Sequence, residues 1–144
     1  MSTTKVDSPA ASPFPLPQPT PLTQPFWDGL QAGRLRFMRC LACDNAWLPA
    51  RSECPRCLAP RPAWQDAAGG GSIVSWVVYH HCYHEAFRGR LPYNVATIEL
   101  DEGPRLLANV VGVRGAEGLS MGGRVRLKIE QEDGFALARF ELDH

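Results

Sequence analysis

The sequence predicts a mainly β chain: a short helix with a zinc ribbon, then a five-stranded barrel in OB-fold order. Two observations carry this. Four of the five cysteines fall in one stretch, CLACDNAWLPARSECPRC at 40–57. Beyond the glycine-rich AAGGGS at 67–72, five strand-like segments follow, with the break between the third and the fourth.

Residues 1–22 read as a proline-rich flexible tail. From Ser8 to Pro25 there are seven of the 13 prolines and no charge, which favours extended polyproline conformation over a buried core. The competing reading is an arm laid along a partner. Residues 23–62 then form a helix and ribbon unit. In TQPFWDGLQAG, Thr23 is a candidate cap, Pro25 suits the first turn and Gly33 suits the end. Phe26 and Leu30 lie four apart and share a face, with Trp27 beside them.

The cysteines form two Cys-x-x-Cys pairs, Cys40 with Cys43 and Cys54 with Cys57, separated by ten residues. Each tight turn presents two thiolates to one side of an ion, and two such turns complete a tetrahedral sphere. One structural zinc per chain is the expectation, with rubredoxin-like iron or paired redox thiols as the alternatives. Four protein ligands leave no position for water, so such a zinc holds structure and does no chemistry. Knuckles of this kind favour glycine after the second cysteine, where φ turns positive. Asp44 and Leu58 stand there instead. Leucine tolerates that backbone poorly, so the second knuckle is expected to be irregular.

Residues 63–144 are assigned to the barrel. IVSWVVYH (73–80), YNVATIEL (93–100) and RLLANVVGV (105–113) precede a linker, RGAEGLSMGG, with room for one helical turn. RVRLKIEQ and FALARFEL follow as a hairpin across EDG. Three strands, a linker and two strands is the OB order, with an SH3-like barrel as the rival. In the second strand Ala96, Ile98 and Leu100 share the inward face.

Composition narrows the function. The chain has 144 residues, formal charge zero and 44% hydrophobic residues, as in a soluble globular protein. No apolar run approaches the ~20 residues of a membrane span, and the N-terminus lacks a signal-peptide core. The thiol-rich ribbon without a disulfide-rich composition fits the cytoplasm. Neutral charge and only two lysines weigh against a nucleic-acid groove. Charge is nonetheless polarised: residues 34–61 carry six arginines and two acids, the last fifteen residues five acids and Arg139. No nucleophile elbow, phosphate loop or His-Glu-x-x-His occurs.

Chemistry has one other place to reside, HHCYHEAFRGRLPY at 80–93. This loop joins the first two barrel strands, a position where OB-folds contact ligands. His80, His84, Arg88, Arg90 and Tyr93 are therefore candidate ligand or partner contacts. A second metal or catalytic site here, drawing also on His81, Cys82 and Glu85, needs three converging ligands. Near the ribbon, Phe26, Trp27, Phe37 and Trp47 exceed what so small a unit is expected to bury. Phe37, Trp47 and Arg51 join the candidate contacts, since aromatic and arginine side chains anchor interfaces.

Taken together, PFWDGLQAGRLRFMRC, the two knuckles, GGGSIVSW, LPYNVATIELDEGPRLLANVVG and MGGRVRL resemble a family that joins a rubredoxin-like zinc ribbon to an OB-fold. The resemblance covers most of residues 25–142 and not the tail. It implies an acyl-CoA-associated accessory subunit with no catalytic residues of its own. Such a subunit completes a partner thiolase, lipid-transfer-type aldolase or enoyl-CoA hydratase, with acyl-CoA at a shared site. A single-strand nucleic-acid binder and a rubredoxin-type electron carrier are the alternatives.

Overall fold

The computed structural model describes residues 15–81 and 83–143. Most of the expected tail, Cys82 and His144 lie outside the described residues.

Helix α1 spans Gln24–Gln31 with Pro25 in its first turn. Thr23 occupies the cap position, yet its hydroxyl makes no cap hydrogen bond to the helix. It accepts instead from the Thr20 backbone N–H at 2.8 Å. Gly33 takes φ +85° after the last turn, and the Arg34 N–H reaches the Gly29 carbonyl at 2.8 Å. Leu30 is buried, while Phe26 and Trp27 pack half-buried against the barrel core.

Three strands form the ribbon sheet: β1 (Arg36–Arg39) at the centre, β2 (Ala46–Trp47) and β3 (Ala63–Asp66) on either side, all antiparallel. Strand β3 was not among the expected elements. Its residues, assigned from sequence to the barrel part, pair with the ribbon strand β1. Asp66 at its end meets Arg34 at 3.1 Å and Arg36 at 3.4 Å.

The second sheet contains β4 (Gly70–Tyr79), β5 (Tyr93–Leu100), β6 (Arg105–Ala108), β7 (Val110–Val111), β8 (Arg124–Glu132) and β9 (Phe135–Leu142). Their order is β6-β5-β4-β8-β9-β7. Strand β4 is shared between β5 along most of its length and β8 at its start, with a register shift between Ile73 and Ser75. Strands β8 and β9 join through Asp133 and Gly134, both at positive φ, as a two-residue hairpin requires. Strand β9 ends beside β7, and that pairing is parallel.

Here the five-strand barrel is modified. The third expected strand is broken at Asn109, giving six strands and a ladder whose two edges, β6 and β7, are pieces of one segment. The sheet curls on itself without closing. Asn94 explains the break. It shares the inward parity of Ala96, Ile98 and Leu100 and is 3% exposed. Its amide donates to the carbonyls of Val110 at 2.9 Å and Gly115 at 2.8 Å, and its oxygen accepts from the Val110 N–H at 2.8 Å. Those side-chain bonds take the place of ladder bonds where β6 gives way to β7. The linker after β7 forms turns, with Glu117 N–H to Arg114 O at 3.0 Å and Leu119 N–H to Ala116 O at 3.1 Å, in place of the helical turn.

The main core lies inside the curled sheet, around Ile73, Ile98, Leu100, Val125 and Phe140, and it extends to Leu30 and Leu35. Helix and barrel are thus one packed body. A smaller core of Met38, Cys40, Trp47 and Cys54 lies within the ribbon.

Candidate metal centre and apolar cavity

The two knuckles are built alike. In the first, Asp44 N–H donates to the Cys40 carbonyl at 3.0 Å and Cys40 N–H to the Asn45 carbonyl at 2.7 Å. In the second, Leu58 N–H donates to Cys54 O at 2.9 Å and Cys54 N–H to Ala59 O at 3.0 Å. Asp44 and Leu58 take nearly the same left-handed backbone, φ 69° and 66°. The expected irregularity of the second knuckle is absent. The hydrogen bonds of the turn outweigh the steric cost at Leu58.

This geometry aims backbone donors at sulfur. Cys40 Sγ accepts from the N–H groups of Ala42 and Cys43, both at 3.3 Å. Cys54 Sγ accepts from Arg56 at 3.3 Å and Cys57 at 3.4 Å, with the Asn45 amide at 3.7 Å. Sulfur pairs Cys40–Cys57 and Cys43–Cys54 stand 3.5 and 3.6 Å apart, and all four atoms lie within 4.8 Å of one another. Those spacings exceed the ~2.0 Å of a disulfide. They approach the roughly 3.8 Å edge of a tetrahedron whose Zn–S bonds are ~2.3 Å. The four cysteines are positioned for metal binding.

Protonation tells the same story. Burial opposes ionisation of Cys54, but the N–H groups of Cys57 and Arg56 and the neighbouring Cys43 thiol bring it down to about 6. The Asn45 N–H favours the Cys43 thiolate, yet burial and the three neighbouring sulfurs push that thiol up to about 12. Without a cation the cluster holds its protons unequally; a divalent ion is what allows four thiolates at this separation.

The second feature was not legible in the sequence. A cavity of about 670 Å³ lies where α1, the turn after β2, the β6 edge and β9 meet. Phe26 and Trp27 line one side, Leu48 to Ala50 the next, and Leu137 to Arg139 the floor of β9. Tyr79, Phe87 and Tyr93 form its rim, with Tyr93 stacked on Tyr79 and on Phe87 at 5.1 Å each. Its size and lining are those of a small-molecule pocket. A smaller cavity of about 220 Å³ shares Phe87, Tyr93, Asn109 and Arg139 with it.

The candidate contacts divide accordingly. Tyr93 lines the large cavity and Arg90 the small one. His80 and His84 are exposed; His84 Nδ1 accepts from the Ala86 N–H at 3.0 Å, starting the short 3₁₀ helix Glu85–Arg90. Arg88 pairs with Glu85 at 2.7 Å, and Arg90 grips both oxygens of Glu132 at 2.9 Å. Both guanidiniums are thereby partly neutralised toward phosphate. Phe37 and Trp47 are 1% and 6% exposed, and Trp47 belongs to the ribbon core. The ribbon aromatics are therefore absorbed by the fold: those two are buried, and Phe26 and Trp27 face the barrel and cavity. Arg51 is exposed. Among the described residues the four cysteines form the one metal-type cluster, and His81, with Cys82 outside that set, joins none.

Residues 27–63 match the rubredoxin-like zinc ribbon domain of ChsH2, and residues 64–130 its C-terminal OB-fold domain. A probable enoyl-CoA hydratase alpha subunit of Thermomonospora curvata is 40% identical over 61% of this chain, and the match spans only 27% of that longer protein. A DUF35 domain-containing scaffold protein of Methanocaldococcus jannaschii is 29% identical, over 67% of this chain and 72% of its own. Among solved structures, a chain of an Ltp2-ChsH2(DUF35) aldolase superposes with TM-score 0.78 at 32% identity, covering 88% of this chain and 98% of that one.

Proposed function

The chain belongs to the ChsH2 zinc-ribbon and OB-fold family, and from that premise we propose that it is a non-catalytic accessory subunit of an enzyme acting on CoA esters. A hydratase or an aldolase is the favoured partner, with a thiolase-like enzyme as the wider alternative. One observation carries the reading: nearly the whole described fold is matched by a chain of an aldolase, and part of a probable enoyl-CoA hydratase alpha subunit is 40% identical in sequence over 61% of this chain. In this role Cys40, Cys43, Cys54 and Cys57 hold one zinc, which fastens the ribbon and leaves chemistry to the partner. The large apolar cavity receives the acyl portion of the ester at a site shared with the partner.

The test is co-expression with candidate hydratase, aldolase and thiolase subunits. A complex that survives gel filtration is expected, with partner activity falling when this chain is omitted. Elemental analysis should give one zinc per chain. A partner fully active and stable by itself, beside a chain that elutes alone, overturns the reading.

A further inference from the structure

Leu58 keeps left-handed backbone where glycine is the unstrained choice, and its side chain is 68% exposed, so burial does not explain it. Leu41, in the other knuckle, is 75% exposed. Each leucine adjoins a cysteine, Cys40 or Cys57, and those two sulfurs are 3.5 Å apart. The two exposed leucines thus each stand one residue from the same pair of neighbouring sulfurs. Arg51, Arg56 and Arg61, in and beside the second knuckle in sequence, are exposed and make no ion pair among the described residues. Arg34, Arg36 and Arg39, further along the ribbon, are paired with Asp66 and Asp44. Glu53 is the one other acid of the second knuckle.

We infer that this knuckle end is a docking face for an acidic patch on the partner enzyme, with Leu41 and Leu58 seated in a small apolar recess inside a ring of arginine ion pairs. Unpaired exposed arginines set the sign of the partner surface, and desolvated leucines fix its centre. Protein is the class of macromolecule that fits. Single-stranded nucleic acid is gripped by exposed aromatic faces, and this end presents aliphatic ones. The inference rests on the accessory-subunit reading and adds where the partner sits.

Its test uses the full chain and the hydratase, aldolase or thiolase subunit that co-purifies with it, titrated calorimetrically at salt from roughly 50 to 300 mM. Leu58→Gly, Leu41→Ser and the double variant Arg51→Glu, Arg56→Glu should each weaken binding about tenfold or more, with metal content unchanged. The arginine double variant should also lose most of the salt dependence. Met121→Ser, an equally exposed apolar site on the barrel, should bind like the native chain. Native binding with undiminished binding by the knuckle variants overturns this face and leaves the accessory role standing. No native binding to any of the three enzyme classes overturns both. Tight oligonucleotide binding lost in the arginine variant assigns the face to nucleic acid and overturns the inference.

Discussion

Asn94 carries three side-chain hydrogen bonds at the point where β6 hands over to β7. Its own carbonyl also accepts from the Asn109 amide at 2.6 Å. Removing the amide leaves the Val110 N–H buried without its partner, so Asn94→Ala should cost about 2–3 kcal/mol in denaturant unfolding. A loss under about 0.5 kcal/mol, the range of neutral surface changes, contradicts this assignment. The period-2 pattern puts Asn94 on the inward face with Ala96, Ile98 and Leu100, but sequence does not reveal what an inward amide bonds to. Leu58 teaches the reverse lesson. The sequence flagged its misfit, and the misfit is real as strain in a regular turn. Leu58→Gly should therefore stabilise the metal-loaded ribbon by about 1 kcal/mol, seen as a later transition in thermal unfolding, while weakening docking. Gain in stability with loss of affinity at one position separates a contact residue from a structural one.

At the scale of elements, the cysteine spacing and the strand periodicity were sufficient for the knuckles, for β5 and for both strands of the last hairpin. Short range is the reason: a knuckle or hairpin is specified by residues a few positions apart. Strand β3 is not legible in the sequence because four residues without clear alternation become a strand only when β1 is present to pair with them. The β8–β9 hairpin also fastens the 80–93 loop. Glu132 at its tip bridges Arg90 and Arg139, and the Arg90 hydrogen bonds, then those of Arg139, hold the Glu132 carboxyl at about 2, well below 4.5, against the opposing effect of burial. A carboxyl depressed by folding contributes stability that is complete above about 4.5 and is lost as pH falls toward 2. Stability measured through that window should decline, and Glu132→Gln should flatten the slope while lowering stability at neutral pH. An unchanged slope in the variant assigns the acid sensitivity to other groups. The ribbon has its own failure mode. Cys54→Ser, removing a fully buried sulfur, should release the metal and unfold the ribbon, leaving the sheet β4–β9 partly structured by circular dichroism.

The large cavity belongs to the whole molecule, because no single element contains it. Its walls come from α1, the ribbon turn at Leu48–Ala50, the β6 edge and β9, segments brought together only by the core shared between helix and barrel. No local pattern announces such a space: of the residues singled out in the sequence, Tyr93 of the 80–93 loop and the surplus aromatics Phe26 and Trp27 line it, but nothing in their spacing shows that they meet. The broken third strand gives the space its form: β6 pairs with β5 alone, and the ladder does not close between β6 and β9. If an acyl chain enters there, filling the floor should act on substrate and not on assembly. Ala138, half-buried on β9, is the position to enlarge. Ala138→Trp should leave zinc content and partner binding at native levels, since the knuckle end is untouched. In the assembled enzyme, kcat/KM for bulky or long acyl-CoA esters should fall at least about tenfold, equivalent to ~1.4 kcal/mol of lost transition-state stabilisation, while the shortest esters change less than about twofold. An equal fall for all chain lengths points to distortion of the partner rather than occupancy of the cavity. Full activity with every ester, in a complex that forms normally, removes the cavity from the shared site.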